Sequence, residues 1–177
     1  MEEIKIRKRS EIPVEDTWAI EDLYSSDDAW EQDLKSLEED RDVLASYEGK
    51  LGQSGQMLYD YLSKMEAADV RAGRLGNYAM RMSDVDTRDA DYQAMTGKYI
   101  SVAVSLGAAC SFETPEIMTI SDDALDSFYK ACPELEKYRR YLTDLRRMKA
   151  HILSRQRKSC LHHQGKWDKH LRISILC

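Results

Sequence analysis

Proline and glycine are scarce in this chain, at 3 and 8 of 177 residues. That is too few for a β-sandwich, whose many turns need them, or for a disordered chain. Charge of one sign is not in excess enough to define a nucleic-acid binder. The net charge is −6, and binding phosphate needs a basic surface. Long apolar runs are missing too. The longest uncharged run, residues 99–112 (YISVAVSLGAACSF), is too short to span a bilayer and reads as a buried helix. The opening MEEIKIRKRS has no apolar core and does not read as a secretory signal. With only four cysteines and no such signal, the expectation is a cytoplasmic protein with reduced thiols and no membrane partner.

What is present is helical periodicity. Hydrophobic residues make up 42% of the chain and charged residues 33%, enough to bury a core and stay dissolved. Residues 1–13 alternate weakly and end at Pro13, so they read as extended or irregular. Residues 16–24 (DTWAIEDLY) predict a short helical segment that places Trp18 and Leu23 on the core. Ser25 or Ser26 then caps a helix that carries Trp30, Leu34, Leu37, Leu44 and Tyr47 at helical spacing and ends at the glycines of EGKLG, residues 48–52.

A second helix is predicted over about 55–83. Tyr61, Met65, Ala68, Ala72, Leu75, Ala79 and Met82 form one continuous stripe, and Gly73 and Gly76 permit a neighbouring helix to approach. Thr87 is the expected cap of a third helix running to about Glu113, with Tyr92, Met95, Tyr99, Val102, Leu106 and Ala109 on one face and Pro115 blocking its continuation. A short helix over 121–132 follows. A longer one starts at Pro133, with Tyr138, Leu142, Leu145, Met148 and Ile152 as its apolar side. No segment alternates as a strand does. The predicted fold class is all-α: an antiparallel bundle of long helices, with an irregular N-terminus and an aberrant C-terminal tail.

Chemistry-bearing residues are few. A zinc peptidase helix needs H-E-x-x-H, two ligands one turn apart with a glutamate base beside the first. There is no His-Glu pair in the sequence, and His151 is the first histidine. Asp84, Asp86, Asp89 and Asp91 suggest a calcium loop. Counting from Asp84, however, Asp89 stands where the glycine is needed and Met95 where the bidentate glutamate is, so a solvated, capped turn explains them better. Cys110 and Cys132 read as buried free thiols. Tyr59, Tyr61, Tyr78, Tyr92, Tyr99, Tyr129, Tyr138 and Tyr141 follow the helical stripes, as core residues with hydroxyls at the surface. Cys160, His162, His163, His170 and Cys177 are competent zinc ligands, but their spacing fits no C-x₂-C or H-x₃-H clamp. The expected catalytic, cofactor and metal residues of this chain are therefore none.

Several stretches resemble oligoendopeptidase F-type enzymes, zinc metallopeptidases of the thimet oligopeptidase-type clan. They are RSEIPVEDTWAIEDLYSSDDAWEQDLKSLEED (9–40), YEGKLGQSGQMLYDYL (47–62), RLGNYAMRMSDVDTRDADYQAM (74–95), SFETPEIMTI (111–120) and YRRYLTDLRRMKAHILS (138–154). The resemblance covers roughly residues 7–156. It implies a helical N-terminal region that packs over a larger catalytic domain, the two enclosing a channel for oligopeptides. Zinc belongs to that larger domain, so no catalytic residue carries over to this chain. The partners it implies are the catalytic domain and, through it, an oligopeptide substrate, with no nucleic acid. An isolated N-terminal region should expose an apolar face and could self-associate through it. The alternative is a stand-alone helical interaction module.

The composition changes abruptly near residue 157. Residues 157–177 carry five basic groups against Asp168, a net +4, while the rest carries −10. After HILS the family pattern stops. Read one base out of frame, Lys158–Cys177 can encode a Leu-Leu-Ala segment and an Asn-Ile-Tyr-Ser-Met segment like those with which the family continues. The expectation is a domain over 1–156 and an out-of-frame tail over 157–177, truncated before the zinc site. A basic-tail nucleic-acid binder rests on a charge of only +4.

Overall fold

The computed structural model describes residues 11–148. The chain divides into two compact units, residues 1–138 and 139–177. In the first, α1 (Asp27–Ala45), α2 (Gly55–Val85), α3 (Ala90–Ala109), α4 (Glu113–Thr119) and α5 (Asp122–Ala131) follow one another, with 3-10 turns at Val14–Asp16, Ile20–Asp22 and Pro133–Tyr138. In the second, α6 spans Arg139–Arg147. The described residues contain no strand, as the all-α expectation requires.

Three helices pack mutually, α1 with α2, α2 with α3, and α1 with α3. Their side chains record the directions. Asp27 pairs with Tyr78, Trp30 with Leu75 and Asp33 with Arg71, so α1 and α2 run in opposite senses. Ser83 pairs with Gln93 and Ala79 with Thr96, so α2 and α3 do too. α1 and α3 run the same way, tied by Glu31–Lys98 and by Arg41–Ser105 at 3.2 Å.

The core follows the predicted stripes. Trp30, Leu34, Leu37 and Leu44 of α1 are buried against Tyr61, Ala68, Leu75 and Ala79 of α2 and Met95, Tyr99, Val102 and Leu106 of α3. Trp30 is fully buried, and its indole Nε1 donates to Leu75 O at 2.9 Å. Ser26, Ser54 and Ser121 cap α1, α2 and α5 by accepting the amides of Ala29, Met57 and Ala124, satisfying donors that a helix start leaves open.

Five local expectations are corrected. Trp18 is 76% exposed, and Ile20 and Tyr24 take the core positions foreseen for Trp18 and Leu23, because residues 14–22 form two 3-10 turns instead of one helical face. Asp89, not Thr87, caps α3; its carboxylate reaches the amides of Asp91 and Tyr92. Helix α3 ends at Ala109, and Pro115 lies inside α4 instead of blocking a helix. It sits in the first turn, where an amide has no partner in the helix anyway. The 99–112 run is buried on one side only, since Ile100 and Val104 are exposed. Finally, Pro133 opens a 3-10 turn, not a helix, and α6 begins at Arg139. Within α6, Leu142 and Leu145 are buried and Met148, just beyond it, is exposed. Ile152 lies outside the described residues.

Candidate functional site

The tyrosines foreseen as core residues are more than filling. Tyr61 is fully buried, and its hydroxyl donates to Glu113 Oε2 at 3.0 Å. Tyr24 donates to Asp33, Tyr78 to Asp27 at 2.8 Å, and Tyr138 to Glu66 at 2.7 Å. The hydroxyls of Tyr61, Tyr78 and Tyr138 were expected at the surface; instead they grip carboxylates of other elements, and Tyr24, not foreseen as a core residue, does the same. A buried phenol needs such a partner, since an unbonded hydroxyl would cost free energy. Burial first, and the adjacent carboxylate second, push the ionisation of Tyr61, Tyr24 and Tyr78 well above that of a free phenol. These groups stay protonated donors at any physiological pH.

Around Tyr61 the site is acidic. Cys110 is buried beside it, and burial pushes its thiol up, away from the reactive thiolate. Asp69 is exposed as a residue, yet its carboxyl is held above the usual range by desolvation and by Glu113. The second glutamate of α4 completes the arrangement. Glu116 accepts from the backbone amides of Gly49 and, at 3.2 Å, Leu51. Gly49 holds φ +77°, a left-handed conformation that favours glycine. α4 thus clamps two things at once: Tyr61 of α2 through Glu113, and the α1–α2 connection through Glu116. Sequence reasoning quoted SFETPEI but missed both glutamates as partners, because their contacts lie 52 and 65 or more residues away.

The aspartate cluster is taken apart by the structure. Asp84 pairs with Arg81 at 3.2 Å, Asp86 with Arg88 at 3.0 Å, and Asp89 caps α3. Among the described residues no group of three or more His, Cys, Asp or Glu could hold a metal ion. Cys132 is a buried free cysteine like Cys110. Cys160, His162, His163, His170, Cys177 and His151 lie outside the described residues. No helix among the described residues is long and apolar enough to cross a membrane. The geometry is that of a braced scaffold: protonated phenols on carboxylates, tying α1 to α2 through Tyr78 and Asp27 and α2 to α4 through Tyr61 and Glu113.

Residues 116–167 match the family model described as Oligopeptidase F. That match runs past residue 157, where the charge changes. Oligopeptidase PepF from Bacillus subtilis is 33% identical over 153 residues, which is 86% of this chain and 23% of the relative. The crystal structure of oligoendopeptidase-F from Enterococcus faecium superposes with a TM-score of 0.66 at 28% identity, covering 79% of this chain and 28% of that one. A crystal structure from Chlamydophila abortus shares the fold at a TM-score of 0.76 and 22% identity, covering 91% of this chain and 27% of its own. The chain spans about a quarter of the length of the relatives it matches. The family-model match, the relatives and the structural neighbours together support an oligoendopeptidase F-like N-terminal region.

Proposed function

We propose that this chain is the non-catalytic helical domain of an oligopeptidase, inactive by itself, which would support a zinc-bearing catalytic domain acting on short peptides. One observation carries the reading: 86% of the chain aligns with 23% of a relative named Oligopeptidase PepF. The sequence holds no His-Glu pair, so the H-E-x-x-H helix would come from outside these residues. Hydrolysis through metal-activated water needs those ligands and their glutamate base. What this chain's own residues offer is rigidity, from the α4 clamp and the tyrosine–carboxylate anchors. The partner is then the catalytic domain, and the working compartment the cytoplasm, where such thiols as Cys110 and Cys132 stay reduced.

An out-of-frame tail over 157–177 is supported by the charge change and by the family-like segments recovered in another frame, while the family-model match that runs on to residue 167 speaks for the frame as read. The coding DNA decides this: a frame that encodes no family-like continuation near codon 157 ends the idea.

The functional test is an assay of the purified chain on a quenched fluorescent heptapeptide, with and without added zinc. No cleavage is expected from the chain alone. Zinc-dependent cleavage that survives further purification would overturn the proposal. Sedimentation of the same sample examines self-association, the second reading.

A further inference from the structure

We draw no further inference here: the strongest candidate, the exposed apolar face of α3 around Ile100 and Val104, is an unpartnered helix face, and nothing in the structure shows what covers it.

Discussion

Gly76 of α2 faces the ring of Tyr99 of α3 so closely that a Cβ at position 76 would lie 2.6 Å from Tyr99 Cζ. The glycine sets how near the two helices come. Alanine there gains about 1 kcal/mol of helix propensity, but overpacking against a buried ring costs about 1–3 kcal/mol. Gly76→Ala is therefore expected to destabilise, while Gly73→Ala should stabilise by up to about 1 kcal/mol, since nothing lies within 4 Å of its Cβ. Urea denaturation of the two variants gives opposite signs if the packing is as described. Equal stabilisation by both would show that Tyr99 moves aside freely.

Glu116 serves a different joint. Its carboxylate accepts the amides of Gly49 and Leu51, and Leu51 is fully buried. Hydrogen bonds to a charged acceptor contribute about 1.5–3 kcal/mol, and a buried amide left alone loses that and more. Glu116→Ala should cost about 2–3 kcal/mol, and Glu116→Gln less, because one oxygen still accepts. Hydrogen exchange at the Leu51 amide should quicken in Glu116→Ala while the α3 amides keep their rates. Uniform quickening across the chain would instead mean general loosening.

These two pairs mark what the sequence could and could not reveal. The apolar stripes of α1, α2 and α3 were legible because burial in a helix repeats every three or four residues, and Trp30, Leu75 and Leu106 fall where that period puts them. The cap of α1 was legible to within one residue, Ser25 or Ser26, because capping is local, and Ser26 is the one that caps. Trp18 was misplaced because it sits in 3-10 turns that share no period with the helices. Gly73 and Gly76 looked equivalent in sequence, and only the position of Tyr99 separates them. The carboxylate partners of Tyr61 and of the 49–51 turn were hidden for the same reason: a hydrogen bond across more than fifty residues leaves no periodic trace.

Acidity near Tyr61 sets a pH dependence. Desolvation first and Glu113 second raise the Asp69 carboxyl above its unfolded value. The ionised form is thus the one the fold disfavours. This group's contribution to stability is highest below its unfolded pKa and is lost as pH rises through the folded one. Glu66 has the opposite sign. Lys137 and then Tyr138 lower its pKa, so its contribution is present above the unfolded value and is lost as pH falls through the folded one. Asp69→Asn should be more stable than the parent at pH 7, with the gap closing towards pH 4. Thermal melts across that range check it, and a gap that widens in acid would reverse the sign argued here.

Trp30 joins the core and a hydrogen bond in one side chain, and it gives the sharpest test of how α1 is held. Phenylalanine at this position keeps an aromatic ring but deletes the Nε1 donor to Leu75 O and part of the ring volume. The lost bond costs about 1 kcal/mol, and the residual cavity adds to it in proportion to its size. The carbonyl keeps its helical amide, so the donor's loss does not strand an acceptor. Trp30→Phe is expected to cost about 2–3 kcal/mol in all. Leu37→Ala, at a fully buried position without a polar atom, should cost about 2–5 kcal/mol. Denaturant midpoints with unchanged slopes would assign both losses to packing of the folded state. If Trp30→Phe cost more than Leu37→Ala, the α1–α2 contact would depend on the indole bond more than on burial.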